Sequence, residues 1–384
     1  MTKEISNTLN AFEHGGNIYR LAEELKIQER KIIDFSASVN PLGVSKKIKA
    51  ELRGHLKYLH NYPDPETKRL RKRLAQYHGI DPETILCGNG STELIYLIIR
   101  TLKPQRVLIP APTYSEYEKA VLISHQSLVI SQQLANKEKS IDIKYLNLKE
   151  NEGFRINPNE FIVAMEGELP SFDMAFLCNP NNPTGRLLKM EDVLKIADTA
   201  KEIKCYLIVD ESFIDFCHDE SVITEVENNP YLIVLKSMTK FYALSGLRIG
   251  YGVFPRNLIN NLKEYKEPWT VNSLSQRAAI IALKDKAYRQ ETLRIIKEEK
   301  RFLERNFKKI GIEFFNSDAN FYLLKISNAV EICQRLKKKG ILVRECSNFK
   351  GVDSSYLRIA VKSHRENTIL IKKLASILQA KKDE

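Results

Sequence analysis

The chain has 384 residues, of which 43% are hydrophobic and 28% charged, and its formal net charge is +12. This size and composition are typical of a soluble globular protein with one large core and a second, smaller one. No window approaches eighteen uninterrupted apolar residues, and the polar first residues lack the apolar stretch of a signal peptide. We therefore expect a cytoplasmic protein that does not bind a membrane.

The cysteines and the basic residues exclude two further classes of protein. Six cysteines are scattered without a C-x-x-C pair, which predicts neither a zinc site nor a disulfide framework, and we expect no metal. The densest basic runs, at residues 337–339 and 381–382, lie at a predicted helix end and in a tail. Because no aromatic residues alternate with the basic ones, we expect no nucleic-acid partner, whereas an anionic substrate or a generally lysine-rich composition would both fit the charge.

In chain order, the N-terminal stretch contains one predicted helix, at residues 18–25. The middle of the chain then alternates buried strands with amphipathic helices, which predicts an α/β domain with a mostly parallel sheet. The predicted strands are residues 106–110, 174–178, 205–209, 232–235 and 248–252. The predicted helices between them are residues 91–101, 115–123 and 190–203.

After Trp269 the pattern changes to a smaller α+β unit. A long charged amphipathic run at residues 274–309 predicts a linking helix, and a last helix ends near residue 378. The predicted strands between them are residues 321–326, 342–344 and 356–360. We therefore expect three parts, which are an arm packing with the small domain (1–45), a large cofactor-binding domain (46–270) and a small C-terminal domain (271–384).

A lysine lies between hydroxyl groups just after the strand predicted at residues 232–235. Ser237 and Thr239 flank Lys240 in the sequence, and Arg248 follows. A lysine amine becomes an imine-forming nucleophile when a nearby cation and partial desolvation lower its pKa. The same hydroxyls and guanidinium would hold a phosphate group. Taken alone, the segment also fits an ordinary surface loop.

Three further segments place polar groups at strand ends. Asp210 ends an apolar strand, where a buried carboxylate can pair with a protonated pyridine nitrogen, although a helix-capping aspartate also fits. Asn182 lies in a loop made rigid by two prolines, and its amide can reach a ring hydroxyl unless the loop is merely a turn. The turn of Gly90, Ser91 and Thr92 opens a helix whose free N–H groups could bind phosphate, as ordinary strand-to-helix turns also could.

Together and in this order, the four segments resemble the fold-type I enzymes that use pyridoxal 5′-phosphate (PLP), the aspartate aminotransferase superfamily. The resemblance implies PLP as the cofactor, a mostly parallel seven-stranded sheet with a smaller α+β domain, and a homodimer with shared active sites. Within the superfamily, the chain is most similar to the branch of L-threonine-O-3-phosphate decarboxylases of cobalamin biosynthesis and histidinol-phosphate aminotransferases. Motifs that carry this finer resemblance include HGGN at 14–17, DFSASVNPLG at 34–43, PAPTYSEY at 110–117 and ILVREC at 341–346.

The resemblance implies a role for each of these residues. Lys240 would hold PLP as a Schiff base and act in catalysis, Asp210 would meet the ring nitrogen, and Asn182 would meet the ring hydroxyl. Tyr114 would stack on the ring. The cofactor phosphate would be held by Gly90, Ser91, Thr92, Ser237, Thr239 and Arg248, with Tyr62 reaching in from the partner subunit.

The substrate would be bound by a second group of residues. Arg358 resembles the arginine that binds the α-carboxylate, beside Asn182, and the substrate phosphate would be bound by His14, Asn40 and Arg344. Each of these residues also has a structural explanation. His14 and Asn40 could be turn residues, and Tyr62 a core aromatic. Arg344 and Arg358 could form surface ion pairs.

The resemblance implies decarboxylation of L-threonine O-3-phosphate to (R)-1-amino-2-propanol O-2-phosphate and CO₂. The alternatives are decarboxylation of L-serine O-phosphate to ethanolamine phosphate, transamination of histidinol phosphate, and a non-catalytic ligand-binding protein. Decarboxylation and transamination differ in which bond to Cα lies perpendicular to the cofactor ring. The motifs alone therefore leave that choice open.

Three positions depart from the pattern of the superfamily. Phe213 stands where many aminotransferases have a tyrosine that bonds the ring hydroxyl, although phenylalanine is usual in the decarboxylases. Ser212 replaces the commoner alanine, and Lys362 stands where the decarboxylases often have arginine. The last departure concerns the fine structure of the anion pocket.

Overall fold

The computed structural model of the chain describes residues 15–133, 141–167 and 171–380. His14, expected to bind phosphate, and the basic run at 381–382 lie outside the described residues. None of the helices in these three ranges is both long enough and apolar enough to cross a membrane. The helices are α1 (Ile18–Leu25), α2 (Lys46–His55), α3 (Lys68–His78), α4 (Ser91–Leu102), α5 (Glu116–Gln133), α6 (Pro158–Glu166), α7 (Met190–Glu202), α8 (Arg256–Tyr265), α9 (Ser273–Ala282), α10 (Lys286–Lys309), α11 (Ala329–Lys337) and α12 (His364–Ala380).

The strands of the described chain divide among three sheets. They are β1 (Ile33–Asp34), β2 (Ile85–Gly88), β3 (Arg106–Ala111), β4 (Asp142–Asn147), β5 (Met174–Cys178), β6 (Tyr206–Asp210), β7 (Leu232–Ser237), β8 (Gly250–Val253), β9 (Glu313–Phe314), β10 (Phe321–Lys325), β11 (Ile341–Leu342), β12 (Arg344–Glu345) and β13 (Tyr356–Ala360).

The largest sheet has seven strands in the order β2-β8-β7-β6-β5-β3-β4. Only β8 runs antiparallel to its neighbours, so the prediction of a mostly parallel seven-stranded sheet is confirmed. Ala175 and Leu177 of β5 pack in an apolar cluster on one face, and Met174 and Phe176 pack in another cluster on the opposite face. Because both faces are covered, the central strands are continuous apolar runs rather than alternating ones.

The parallel strands bring the loops that carry the polar motifs to one edge of this sheet. Strands β5, β6 and β7 are adjacent and parallel, so their carboxyl ends meet at the same edge. The loops that follow these ends contain Asn182, Ser212 and Lys240. In open parallel sheets, ligands bind at the carboxyl ends of the strands. The edge is therefore the expected place for a site.

The C-terminal part of the chain forms a second core beside this edge. A four-stranded antiparallel sheet has the order β12-β13-β10-β9, and α10, α11 and α12 contribute to the same apolar cluster. The N-terminal β1 pairs in parallel with β11, and the fully buried Phe35 belongs to this C-terminal cluster. Residues near the N-terminus thus help to build the wall that faces the large sheet.

Two predicted elements in this region differ from the structure. The run predicted as one helix at 274–309 is two helices, α9 and α10, with a break at residues 283–285. In the break, the buried Asp285 binds Nζ of Lys47 at 2.9 Å, a tertiary contact that local periodicity does not reveal. The strand predicted at 342–344 is also divided, because β11 pairs with β1 whereas β12 pairs with β13.

Candidate active site

A cavity of about 170 Å³ lies between the carboxyl edge of the large sheet and the four-stranded sheet. Most of the polar residues singled out in the sequence line it, although they come from seven separate segments of the chain. These residues are Gly90, Ser91, Thr92, Tyr114, Asn182, Asp210, Ser237, Thr239, Lys240, Arg248, Arg344 and Arg358.

Lys240 enters the cavity from the loop that follows β7. Its backbone carbonyl accepts hydrogen bonds from the N–H groups of Asn40 at 3.0 Å and Ala243 at 3.3 Å. Burial lowers the pKa of Lys240 to about 8, and the positive charges of Arg358 and Arg248 contribute to this shift. About a tenth of the amine is therefore unprotonated and nucleophilic at pH 7, far more than for an exposed lysine.

The lowered pKa of Lys240 predicts a distinct pH profile for chemical labelling of the cofactor-free protein. Competitive acetylation should give Lys240 an apparent pKa near 8, against about 10.4 for exposed lysines, because only the free amine reacts. Replacing Arg358 by leucine removes a neighbouring positive charge and should raise that pKa. A Lys240 profile that coincides with those of the exposed lysines would contradict this description of the amine.

A phosphate-binding turn forms where β2 leads into α4. Gly90 has φ +79°, and the first N–H groups of α4, beginning at Ser91, form the positive end of its helix dipole. The guanidinium of Arg248 lies so close that a Cβ on Gly90 would be 2.7 Å from its Nη2 atom. On the same side of the cavity, the hydroxyl oxygens of Ser237 and Thr239 are 2.7 Å apart. These donors suit a phosphate group.

Gly250 of β8 supports this turn from behind. A Cβ at position 250 would lie 2.4 Å from the backbone N of Ser91 and 2.8 Å from the carbonyl carbon of Gly90. These are backbone atoms, so a side chain cannot be accommodated by rotation of a neighbour.

We expect Gly250→Ala to displace the first turn of α4 and so to weaken PLP binding by about tenfold or more. The overpacking should also lower the free energy of unfolding by about 1–3 kcal/mol. Fluorescence titration of the cofactor-free protein with PLP measures the first effect. Gly246→Ala is the matched control, because nothing lies within 4 Å of a Cβ there. Equal affinities of both variants for PLP would contradict the close packing behind the turn.

Asp210 is a buried carboxylate held by three donors. Its Oδ2 accepts from the Tyr117 hydroxyl at 2.8 Å, and its Oδ1 accepts from the N–H and the hydroxyl of Ser212 at 3.0 and 2.5 Å. Burial raises the pKa of Asp210, and the hydrogen bonds from Ser212 and Tyr117 oppose that shift. Among the described residues, no cationic side chain forms an ion pair with it. The carboxylate therefore suits a cationic partner inside the cavity.

Two arginines line the opposite wall of the cavity. Arg344 of β12 and Arg358 of β13 are directly opposite each other in the antiparallel register, so both side chains lie on one face of the small sheet. Each guanidinium lies near an aromatic ring, at 5.0 Å from the centroid of Phe349 for Arg344 and at 5.2 Å from that of Phe321 for Arg358. The pair creates a positively charged wall suited to an anionic substrate.

Arg358 also contacts Asn182 across the cavity. Its Nη1 donates to Oδ1 of Asn182, and its Nη2 donates to the carbonyl oxygen of Ser36 at 2.7 Å. Because the amide oxygen of Asn182 is occupied, the amide NH₂ is the group left to donate toward a ring hydroxyl. The Nε atom of Arg358 is buried and has no partner within the described part of the chain.

The structure does not bring every expected residue to the cavity. Asn40 is buried, but its amide donates to the carbonyl of Phe241 and to the hydroxyl of Thr292, both at 2.7 Å. Both amide hydrogens are used in this way and Asn40 does not line the cavity, so its contact with the substrate phosphate stays a prediction. Asn40 fixes the segment next to Lys240. Tyr62 is 82% exposed and packs on Trp269 away from this cavity, so its contribution from a partner subunit stays a prediction.

Several residues in the cavity or directly behind its lining were not singled out as site residues in the sequence. Tyr117 and Ser212 hold Asp210, Ser36 bonds Arg358, and Phe349 contacts Arg344. The motifs at 34–43 and 110–117 contain Ser36 and Tyr117, so the resemblance could have pointed to them. Phe349 lies in a loop without a motif, and only tertiary structure places it at the cavity.

The fold and this cavity define a PLP-dependent enzyme of fold type I. The chain belongs to the family of class I and II aminotransferases, whose model matches residues 30–374. It is 35% identical over 369 residues to a threonine-phosphate decarboxylase from Salmonella typhimurium, covering 95% of this chain and 96% of that protein. It is 34% identical over 348 residues to a histidinol-phosphate aminotransferase from Caldanaerobacter subterraneus subsp. tengcongensis, covering 90% and 92%.

The fold of this chain is also similar to that of a solved structure. The crystal structure of L-threonine-O-3-phosphate decarboxylase from Porphyromonas gingivalis has a TM-score of 0.76 and 28% sequence identity, and the match covers 91% of this chain and all of that one. The family is thus established, whereas similar proteins include both decarboxylases and aminotransferases.

The cavity of this chain fits PLP. Asp210 offers a buried carboxylate without a cationic partner among the described residues, as a pyridinium nitrogen requires. The turn at Gly90 and the guanidinium of Arg248 leave a concave, positively charged surface for the phosphate. Lys240 would supply the amine for the aldehyde carbon, and the aromatic ring of Tyr114 lines the same cavity.

Proposed function

We propose that this enzyme decarboxylates L-threonine O-3-phosphate to (R)-1-amino-2-propanol O-2-phosphate and CO₂, as a step of cobalamin biosynthesis. The observation that carries the proposal is the pair of opposed arginines on one face of the small sheet, Arg344 and Arg358. A phosphorylated amino acid has two anionic groups close together, and each would meet one guanidinium. The similarity to threonine-phosphate decarboxylases supports the same substrate.

In this proposal the chain's own residues orient the substrate. Arg358 binds the α-carboxylate, and Arg344 binds the phosphate beside it. Bound PLP supplies an electron sink for the pair released when a bond to Cα breaks. Asp210 would keep a proton on the ring nitrogen, and the Asn182 amide would donate to the ring hydroxyl.

The choice of bond follows from the substrate's pose. Only a bond perpendicular to the cofactor ring overlaps its π system. Two anchors on the small-sheet wall, Arg344 and Arg358, would hold the carboxylate toward that wall, and we infer that this orientation favours loss of CO₂ over loss of the Cα hydrogen. The ε-ammonium group of Lys240 would then donate a proton to Cα, in the position from which CO₂ has left.

Two variants of this reaction have support of their own. L-serine O-phosphate lacks only a methyl group, and a hydrophobic contact with one methyl discriminates by about 1–3 kcal/mol, so it is the alternative substrate. Transamination of histidinol phosphate is supported by the comparable similarity to histidinol-phosphate aminotransferases. That substrate carries one anion instead of two, so it would use the two arginines less completely.

A screen that follows two products in parallel tests the proposal. Purified enzyme with PLP is incubated with L-threonine phosphate, L-serine phosphate or histidinol phosphate, with and without 2-oxoglutarate, while CO₂ and glutamate are measured. We expect CO₂ from threonine phosphate without an oxo acid and little glutamate. Glutamate formed in step with 2-oxoglutarate consumption, with no CO₂, would contradict the decarboxylase and identify an aminotransferase.

We further propose that the enzyme acts as a homodimer in which Tyr62 completes the partner's site. The rings of Tyr62 and Trp269 lie 5.1 Å apart and are 82% and 49% exposed, and Leu59, three residues before Tyr62, is 55% exposed. Light scattering should give twice the mass of the chain, and Tyr62→Ala should weaken PLP retention. A monomeric mass with full PLP retention would contradict the shared site.

A further inference from the structure

The loop at residues 346–352 holds the guanidinium of Arg344 from two directions. Nη2 of Arg344 donates to Oδ1 of Asn348 at 2.5 Å, and its Cζ lies 5.0 Å from the ring centroid of Phe349. Nη1 donates to the carbonyl oxygen of Glu345 at 2.6 Å. Arg344 and Phe349 are 8% and 5% exposed, so these contacts are shielded from water and fix the plane of the guanidinium.

The same loop is anchored on the large sheet. Gly351 has φ +89°, and a Cβ there would lie 2.9 Å from the carbonyl carbon of Ala111. Nζ of Lys350 lies 3.4 Å from the ring centroid of Tyr145 and 3.6 Å from Oε1 of Glu118. The loop therefore fixes Arg344, which belongs to the small sheet, relative to the edge that carries the cofactor residues.

Arg358 is held independently of this loop. Its partners are Asn182, the carbonyl of Ser36 and the ring of Phe321. A change in the loop can therefore alter the orientation of one arginine without altering the other.

We propose that Asn348 and Phe349 are positioning residues that hold Arg344 for the second anion of the substrate, so that this loop selects phosphorylated over unphosphorylated substrates. The inference rests on the proposed function in one respect, the pairing of Arg344 with the substrate phosphate. An arginine side chain has many rotamers, and a fixed fork loses less entropy when it binds a phosphate. Removing either contact should weaken the binding of the phosphate and leave the carboxylate subsite unchanged.

The proposal can be tested in the absence of turnover by measuring the binding of two ligands that lack an amino group. Glycerate has a carboxylate, and 3-phosphoglycerate has a carboxylate and a phosphate, so calorimetric titration of the holoenzyme compares the two subsites. We expect Asn348→Ala to weaken 3-phosphoglycerate binding about tenfold, Phe349→Leu to weaken it less, and neither to change glycerate binding. Ser347→Ala is the matched control, because Ser347 lies in the same loop but bonds only Glu345 among the described residues.

A double variant separates positioning from general damage. In an Arg344→Ala background, Asn348→Ala should cause no further loss of 3-phosphoglycerate affinity, because the group that it positions is absent. Equal losses for both ligands, a further loss in that background, or equal affinity of the unmodified enzyme for both ligands would each overturn the inference. Failure to release CO₂ from threonine phosphate would contradict the proposed reaction and leave this binding test unaffected.

Discussion

Replacing Lys240 by alanine should lower kcat/KM by about three orders of magnitude or more, because the variant would lack the amine that we propose to anchor PLP and to donate a proton to Cα. The measurement is turnover of the substrate identified by the screen, at saturating PLP. Added methylamine should restore part of the activity, since a small free amine can transfer protons in place of the side chain. The fold should be unchanged, because the Lys240 side chain lies in the cavity rather than in an apolar core.

Two controls make this result specific to Lys240. Lys338→Ala removes an exposed lysine at the end of α11 and should leave kcat/KM unchanged. In the unmodified enzyme, borohydride treatment with PLP should attach the cofactor to the peptide that contains Lys240. Attachment to another lysine, or an alanine variant with full activity, would contradict the role of Lys240.

Replacing Lys236 by methionine should lower the free energy of unfolding by about 3–5 kcal/mol. Lys236 precedes Ser237 but points away from the cavity, and it is only 1% exposed. Its Nζ lies 3.4 Å from Oε2 of Glu211 and 3.7 Å from Oδ1 of Asp215. Methionine fills a similar volume but leaves two buried carboxylates without a cation.

The decrease in the free energy of unfolding that Lys236→Met causes should depend on pH. Burial already raises the pKa of Glu211 while the charge of Lys236 lowers it, so removing Lys236 raises that pKa further. A group whose pKa is raised in the folded state takes up a proton on folding, and its destabilising effect fades as pH falls. The difference from the unmodified protein should therefore be smaller at about pH 5 than at about pH 8.

Urea unfolding of the cofactor-free proteins measures this difference in free energy. Lys195→Met is the control, because it removes a solvent-exposed lysine from its pair with Asp192 and should leave stability unchanged. Unchanged stability of the Lys236 variant, or a loss that grows as pH falls, would contradict the ion-pair description.

The central strands of the fold were predictable because they are buried on both faces. The prediction for 174–178 agrees with β5 at both ends, and that for 232–235 falls two residues short of the end of β7. Strand β4 was missed because its side chains alternate between exposed and partly buried positions at the edge of the sheet and form no apolar run. Helix α3 was missed because charged residues outnumber apolar ones along it, and only its tertiary position shows which face is buried.

The cofactor side of the site was more predictable than the substrate side. Lys240, Asp210 and the turn at Gly90 each lie in a local motif, and parallel strands necessarily bring such strand ends together. Asn40 lies in an equally suggestive motif, yet contacts with Phe241 and Thr292 use its amide. Those contacts span more than 200 residues of sequence, so no local pattern reveals them.

The most direct test of the proposed reaction follows a label in the substrate carboxyl group. The enzyme with PLP is given L-threonine O-3-phosphate carrying ¹³C in its carboxyl group, without any oxo acid, and the reaction is followed by carbon and phosphorus NMR. The proposed reaction predicts that one labelled bicarbonate appears for each aminopropanol phosphate formed. Label that stays in an organic acid, or product that forms only when 2-oxoglutarate is added, would contradict decarboxylation at this site.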